Sequence, residues 1–233
     1  MKTVGIIGGI GPESTLEYYR QIIASYRRQK QDGSYPSIVI NSVPLDKLLD
    51  CLMVRNDLVA VTDYLLAGVQ KLADAGADFG ALTANTPHLV FDELNRRSPI
   101  PLISIVETAC ESARAMGLKH LGLLGTRPTM QGRFYPDVFN REGIALSVPP
   151  PDEQTYIHDK YMSELIHGIV LPETHERLLQ IVDQLRDLHR IDGLILGGTE
   201  LPLILREASH NGIPFLDTTK LHVERIVVRL LSS

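Results

Sequence analysis

The sequence predicts an α/β protein made of two pseudo-symmetric lobes, each a mostly parallel sheet flanked by helices. Apolar runs of strand length alternate with helical patterns along the chain, which is typical of α/β folds. Two stretches, 77–87 and 191–202, resemble each other: each is an apolar run that ends in small and hydroxyl residues before a proline. Three pairs of positions align in this comparison: Asp78 with Asp192, Ala84 with Gly198, and Asn85 with Thr199. We interpret this as an internal duplication and expect the function to lie between the copies.

The first half is predicted to begin with a buried strand and a helix. Pro12 follows a glycine-rich turn, and proline suits the first helical position because its missing N–H would be unpaired there anyway. Gly76 marks the end of a long amphipathic helix. The predicted strands are Thr3–Gly9, Ser37–Val43 and Gly80–Ala84, and the predicted helices are Glu13–Arg28, Asn56–Ala75 and Leu89–Arg96.

The second half repeats this order. Leu121–Gly125, Leu-Gly-Leu-Leu-Gly, echoes Val4–Gly8, Val-Gly-Ile-Ile-Gly, so the repeat reaches the start of each half. The predicted strands are Pro101–Val106, Leu121–Gly125, Ile144–Val148, Gly193–Leu196 and Pro214–Leu216. The predicted helices are Glu107–Met116, Gln154–Ile166, Glu173–Leu188 and Thr218–Leu231. The closing helix is expected to return to the first lobe, so we predict lobes of 1–98 plus 208–233 and of 99–207.

Composition narrows the class of protein. The 233 residues are 44% hydrophobic and 22% charged, which is ordinary for a globular chain that buries its own core. A net charge of −5 without a basic stripe argues against a nucleic-acid partner. Two cysteines make no disulfide framework, and no apolar run reaches the roughly 18 residues of a membrane span. We expect a cytoplasmic protein that binds neither nucleic acid nor membrane.

Four strand-to-helix turns carry the unusual residues: 8–12, 84–87, 125–129 and 198–202. In open α/β sheets, ligands bind beyond the carboxyl ends of the strands, and helix N-termini there favour anions. The neutral hydrogen-bonding side chains of these turns are Asn85, Thr86, Thr126, Thr129 and Thr199. We expect a small anion, such as a carboxylate or phosphate. The structural alternative is helix capping, which Asn and Thr often perform.

Standard cofactor and catalytic motifs do not match. The first glycine-rich turn lacks the dinucleotide spacing and the P-loop lysine, and H-E-x-x-H, C-x-x-C and G-x-S-x-G do not occur. No metal site is predicted. His88 begins the helix after the central stretch. Its two interpretations are a histidine that packs beside the site and a catalytic histidine.

Four motifs together resemble those of the cofactor-independent aspartate/glutamate racemase family over essentially the full chain. They are Gly8-Gly9-Ile10-Gly11-Pro12-Glu13-Ser14-Thr15, Ala84-Asn85-Thr86-Pro87-His88, Gly125-Thr126-Arg127-Pro128-Thr129-Met130 and Gly198-Thr199-Glu200-Leu201-Pro202. Within the family, the sequence is similar to aspartate racemases associated with nonribosomal peptide synthesis of the microcystin kind. The resemblance implies two lobes with a cleft between them, a homodimer and an acidic amino acid as ligand. It carries over seven substrate-binding positions: Gly9, Ile10, Asn85, Thr86, Thr126, Thr129 and Thr199.

The resemblance also implies racemisation without pyridoxal phosphate or another cofactor. Two cysteines on opposite sides of the substrate Cα would remove and return the proton, and a thiol of pKa about 8.5 can be tuned to act near neutral pH. The family's cysteine positions fall on Ala84 and Gly198 here. Neither remaining cysteine lies in a motif turn; Cys110 is predicted to be a core residue, and Cys51 lies beyond the second strand.

Three explanations for the missing cysteines stay open. The protein racemises with other groups, for which Thr83, His88, Thr199 and Glu200 are the candidates because they flank the vacant positions or titrate close by. It binds its ligand but turns over slowly or not at all. Or one or both positions were altered, since alanine and glycine are what a deliberate removal or an ordinary divergence would leave.

The predicted function is interconversion of L- and D-aspartate, with glutamate as second choice. By resemblance, the side-chain carboxylate would be held by Lys47 or His167, with Arg127 as a third cation near a motif turn. The rival from another class is a non-enzymatic protein that binds acidic amino acids or dicarboxylates. A decarboxylase or cis–trans isomerase of the same fold is a related enzymatic rival.

Overall fold

The chain folds into two α/β units. The computed structural model describes residues 2–232, without the side chain of Met53. The first unit runs to Ile105 and takes up again at His222, and the second is Val106–Leu221. Each unit holds a mostly parallel sheet flanked by helices, which confirms the predicted fold class.

The first unit alternates strands and helices. Its strands are β1 (Thr3–Gly8), β2 (Ser37–Ser42), β3 (Phe79–Leu82) and β4 (Leu102–Ile103). Its helices are α1 (Pro12–Lys30), α2 (Leu45–Leu49), α3 (Leu58–Asp74) and α4 (Phe91–Arg97). A π-helical turn, Asp50–Val54, follows α2, and a 3₁₀ turn, Thr86–Val90, precedes α4.

The second unit repeats the alternation with more helices. Its strands are β5 (His120–Gly125), β6 (Ala145–Ser147), β7 (Gly193–Gly197), β8 (Ser209–His210) and β9 (Ile213–Asp217). The helices that begin at or after the boundary are α5 (Ile105–Ala115), α6 (Arg127–Gln131), α7 (Phe134–Arg141), α8 (Pro151–Ser163), α9 (Pro172–His189), α10 (Leu201–Ile204) and α11 (Thr218–Leu231). A 3₁₀ turn, Leu165–His167, follows α8.

The two sheets share one strand order. The first runs β2-β1-β3-β4 and the second β6-β5-β7-β9, with β8 added antiparallel at the edge. The central strands of each sheet end side by side, because Ile7 pairs with Leu82 and Gly125 pairs with Gly197. The matching order agrees with the internal repeat in the sequence.

The aligned aspartates perform the same task in both units. Asp78 Oδ2 accepts the Thr3 N–H at 2.6 Å, and Asp192 Oδ1 accepts the His120 N–H at 3.0 Å. In return the Asp78 N–H donates to the Thr3 carbonyl at 2.9 Å, and the Asp192 N–H to the His120 carbonyl at 2.8 Å. Each aspartate therefore fixes the start of the first strand of its unit.

The core of the first unit lies on both faces of its sheet. Val4 and Ile6 pack with apolar residues of α1 and α11, whereas Ile7 packs with residues of α3. This division follows from the period of two along a strand. The second unit has the equivalent core, where Leu124, Leu194 and other strand residues pack against α8 and α9.

The structure corrects two predicted elements. The strand predicted over Pro101–Val106 is only Leu102–Ile103, because Ile105 and Ala109 already bury one face of α5. The helix predicted from Asn56 begins at Leu58. Asn56 has a left-handed φ of 48°, and the side chain of Asp57 caps the helix by accepting the Ala60 N–H at 2.9 Å.

Candidate active site

In the second unit, the predicted turn residues gather where β5 and β7 end. Both strands end in glycine because their last residues have no room for a side chain. A Cβ atom on Gly125 would lie 2.7 Å from the Gly197 carbonyl oxygen and 2.9 Å from the Thr129 methyl, and one on Gly197 would lie 2.6 Å from Leu123 Cδ1. Thr129 is fully buried, and its hydroxyl is 3.1 Å from that of Thr126. The predicted Thr126 and Thr129 therefore form one hydrogen-bonded pair at the strand ends.

A histidine from α8 joins this turn. The backbone N–H of Arg127 donates to Nδ1 of His158 at 3.3 Å. Burial, with the nearby Arg127 charge second, lowers the pKa of His158. His158 therefore faces the turn as a neutral acceptor.

Gly198, where the resemblance predicts the second family cysteine, is covered by Tyr161 of α8. A methyl group on Gly198 would lie 2.5 Å from Tyr161 Cε2 and 2.9 Å from the Tyr161 hydroxyl oxygen. A side chain at residue 198 could not stand so close to the Tyr161 ring without moving it. Glycine at 198 and tyrosine at 161 therefore fit each other as a pair.

Glu200 is a buried carboxyl group directly beside this pair, with 3% of its surface exposed. Its Oε2 accepts hydrogen bonds from the Tyr161 hydroxyl and, at 2.9 Å, from the Thr199 hydroxyl. Burial raises the pKa of Glu200, although the two hydroxyl donors pull it the other way. The group thus holds a proton more readily than an ordinary glutamate.

In the first unit, the glycine-rich motif joins β1 to β3. Thr15 Oγ1 accepts the Gly9 N–H at 2.9 Å, and Ser14 Oγ donates to the Thr83 carbonyl at 2.9 Å. Gly9 has φ 80°, and a methyl group there would lie 2.3 Å from the Val43 carbonyl oxygen, so only glycine fits. Ile10 is buried.

Thr83, a candidate for proton transfer, is fully buried and held in place. Its hydroxyl donates to the Ile7 carbonyl at 3.2 Å and lies 3.4 Å from the hydroxyl of Thr15. It joins the two central strand ends. This geometry favours a structural role for Thr83.

His88 lies in the 3₁₀ turn after Ala84, with both ring nitrogens engaged. Nε2 accepts the Ile105 N–H at 3.2 Å, so Nδ1 carries the proton and donates to the Ala84 carbonyl at 3.0 Å. The ring stacks on Phe91 at 4.9 Å between centroids. Burial, helped by nearby His222, lowers the pKa of His88 to about 3. Asn85 and Thr86 precede it, the first buried and the second half-buried.

The two candidate cations for a distal carboxylate are both exposed. Lys47, in α2, lines a cavity of about 470 Å³ together with Arg55 and Tyr64. Arg55 is engaged there, at 2.8 Å from Asp50 and 2.6 Å from the sulfur of Cys51. His167 closes the 3₁₀ turn after α8, in the second unit.

Neither cysteine lies at a motif turn. Cys110 is buried in α5, and burial raises the pKa of its thiol to about 11, which fits the predicted core residue. Within residues 2–232, no cluster of His, Cys, Asp and Glu could hold a metal ion. Over the same residues, no helix has the length and apolar character to cross a membrane.

The fold and the four turns define a duplicated α/β protein with polar, proline-containing turns after its central strands. The sequence profile of the Asp/Glu/hydantoin racemase family matches residues 7–226. The chain therefore belongs to that family, which confirms the resemblance drawn from its motifs.

Individual relatives agree with this assignment. The chain is 31% identical to an aspartate racemase homologue from Pyrococcus horikoshii OT3, with a TM-score of 0.82 and full coverage of both chains. It is 26% identical over 170 residues to the broad specificity amino-acid racemase RacX of Bacillus subtilis strain 168, which covers 72% of this chain and 69% of RacX. The aspartate racemase of Picrophilus torridus shares the fold, with a TM-score of 0.77 at 20% identity over 99% of this chain and 94% of that one.

Tyr161 is the residue that sequence reasoning missed. It lay within a predicted helix, Gln154–Ile166, with no motif around it. Its spacing of three residues from His158 places both side chains on one face of α8. That spacing is the sequence signal that could have pointed to Tyr161.

Proposed function

We propose that this protein is an amino-acid racemase that acts on aspartate, with glutamate as a second substrate, and that it does so slowly. The observation that carries the proposal is Glu200, a buried carboxyl group of raised pKa beside the Gly198 position. A carboxyl group tuned towards neutral pH is suited to general acid–base work, whereas Ala84 and Gly198 have no side chain that can carry a proton. Aspartate is favoured by the likeness to an aspartate racemase homologue.

The proposed binding positions are those carried over from the family. Asn85, Thr86, Thr126, Thr129 and Thr199 would act on the α-carboxylate and amine, with Gly9 and Ile10 in the first turn. Lys47 would meet the side-chain carboxylate, because its ammonium group makes no ion pair or hydrogen bond within the described residues, while its neighbour Arg55 is already engaged. His167 stays the alternative cation.

The proton-transfer groups of the two units differ. Glu200 stands at the turn of the second unit, while His88, the titratable side chain of the corresponding turn in the first unit, is neutral with both nitrogens bonded. The turn of the second unit is therefore better suited than the turn of the first to move an α-proton. We expect the α-proton to exchange with solvent faster than the substrate is converted into its enantiomer.

The test is proton NMR of L-aspartate and of D-aspartate with the protein in deuterated water, without added pyridoxal phosphate, followed by chiral chromatography. The expected result is loss of the α-proton signal from one enantiomer, several-fold faster than the other enantiomer appears. L-glutamate serves as the comparison substrate. No exchange with either enantiomer would contradict the proposed activity.

A second candidate function, binding without turnover, is favoured by the engagement of His88 and of Thr83. Titration calorimetry with aspartate distinguishes it: saturable binding without α-proton exchange would establish a binding protein.

Several properties stay predictions. They are the homodimer, the cytoplasmic location, independence from pyridoxal phosphate, the similarity to microcystin-associated racemases, and lobes of 1–98 plus 208–233 and of 99–207.

A further inference from the structure

Tyr161 occupies the space that a side chain at position 198 would need. Its hydroxyl oxygen lies 2.9 Å, and its Cε2 2.5 Å, from where a Cβ atom of residue 198 would stand. A simple loss of cysteine would leave open space around a glycine. Here the space is filled by an aromatic ring with a polar group at its tip, so a phenol hydroxyl stands close to where a thiol would be.

The Tyr161 hydroxyl is coupled to a carboxyl group. It donates to Glu200 Oε2, the same oxygen that accepts the Thr199 hydroxyl at 2.9 Å. Both Tyr161 and Glu200 are buried, with 6% and 3% of their surface exposed. Burial, reinforced by the Glu200 charge, raises the pKa of Tyr161, so the phenol stays neutral and acts as a donor.

We propose that Tyr161 replaces the residue-198 side chain and, with Glu200 behind it, moves the α-proton at the turn of the second unit. In the forward step, the Cα–H bond breaks and its proton goes to Tyr161 Oη while the Tyr161 O–H proton passes to the Glu200 carboxylate. The electron pair stays on the substrate as a carbanion, Tyr161 remains neutral and Glu200 becomes a carboxylic acid. Return of the proton reverses each transfer.

This inference rests on the proposed function and adds the identity of the group that touches the substrate. It also accounts for Gly198, because the tyrosine ring leaves no room for a larger residue.

The first test compares Tyr161→Phe with Tyr156→Phe, a matched control on the same helix whose ring faces Lys160 and Arg177. Tyr161→Phe keeps the ring over Gly198 and removes only the hydroxyl. We expect α-proton exchange with aspartate to fall by about 100-fold, the typical contribution of a general acid–base group, with an unchanged Kd by calorimetry. Glu200→Gln should cause a similar loss, and Tyr156→Phe should exchange like the parent.

The outcomes separate this inference from the proposed function. If the parent exchanges and Tyr161→Phe exchanges at the same rate, the relay is overturned and the racemase proposal stands. If the parent binds aspartate without exchange, the racemase proposal fails and the relay fails with it.

A second test needs no activity. Gly198→Ala is expected to lower Tm in the parent, because the new methyl group meets the Tyr161 ring, and to lower it much less in the Tyr161→Ala background, where the ring is gone. If Gly198→Ala lowers Tm equally in the two backgrounds, Tyr161 does not occupy the space of a residue-198 side chain, and the proposal is overturned.

Discussion

At the scale of single residues, contacts decide which side chains of the four turns are free to act. Thr83 and His88 lie near Ala84, but the side chains of both are hydrogen-bonded to backbone groups. Lys47 is different, because it lines a cavity beside an engaged arginine and its ammonium group makes no hydrogen bond or ion pair within residues 2–232. An exposed lysine without a side-chain partner is suited to a carboxylate, which would here have to be held against the repulsion of Asp46 and Asp50 in the same cavity.

Replacing Lys47 tests that assignment. Lys47→Met keeps the length of the side chain and removes its charge, so we expect the Kd for aspartate to rise about tenfold, which corresponds to about 1.4 kcal/mol for a charge-assisted contact. Titration calorimetry measures the change. Lys71→Met, at an exposed lysine of α3, is the matched control. An unchanged Kd in Lys47→Met would transfer the role to His167.

At the scale of secondary-structure elements, the duplicated aspartates hold the start of each central strand. Asp192 accepts two backbone N–H groups, from Lys119 at 2.8 Å and His120 at 3.0 Å, while Asp78 accepts the one from Thr3. These bonds fix where β5 and β1 begin. They therefore also fix which residues emerge at the far ends of the strands, where the turns lie.

Removal of these carboxylates should destabilise the protein in proportion to the bonds lost. We expect Asp78→Ala to lower the free energy of unfolding by about 1.5 to 3 kcal/mol and Asp192→Ala by about twice as much, since hydrogen bonds to charged acceptors are worth about 1.5 to 3 kcal/mol each. Urea denaturation followed by circular dichroism measures both. Asp74→Ala, which loses only a side-chain bond from Gln70, is the control. Equal losses in all three variants would contradict the assignment.

At the scale of the whole molecule, two buried histidines tie stability to pH. His222 accepts the Tyr18 hydroxyl at 2.9 Å and donates to the Ile103 carbonyl at 3.0 Å, so it is neutral. Burial lowers the pKa of His222 to about 4 and is the main cause that lowers the pKa of His88 to about 3. The unfolded chain, with histidine pKa values near 6.5, binds these protons more readily than the folded one.

Stability should therefore be complete above about pH 6.5 and decline as the pH falls towards 4. Each histidine contributes a slope of about 1.4 kcal/mol per pH unit in that window. We expect His222→Gln to flatten the dependence of the unfolding free energy on pH by about that amount between pH 4.5 and 6, as measured by urea titrations. His167→Gln, at an exposed histidine, should leave the slope unchanged. A slope in His222→Gln equal to that of the parent would contradict this prediction.

Much of the fold and the framework of the site could be predicted from local sequence. The alternation of apolar runs and helical patterns predicted the α/β class. The repeat of 77–87 in 191–202 predicted two similar lobes, and the shared strand order agrees with that prediction. α11 lies where it was predicted, at Thr218–Leu231, because its amphipathic pattern is uninterrupted. The short helices near residues 45–54 and 127–141 were missed, because they span too few residues to show a period.

By itself, the sequence determined the family and the four turns, since these depend on residue types at fixed spacings; it also predicted that Ala84 and Gly198 stand where the resemblance implies cysteines. Only the tertiary structure decided what each turn residue does. The side chains of His88 and Thr83 are hydrogen-bonded to the backbone. Tyr161, 37 positions before Gly198 in the sequence, packs over that glycine, and its hydroxyl donates to Glu200. The spacing of Tyr161 from His158 shows only that both lie on one helix face; its contact with a distant strand end depends on packing, which is why sequence reasoning passed over Tyr161.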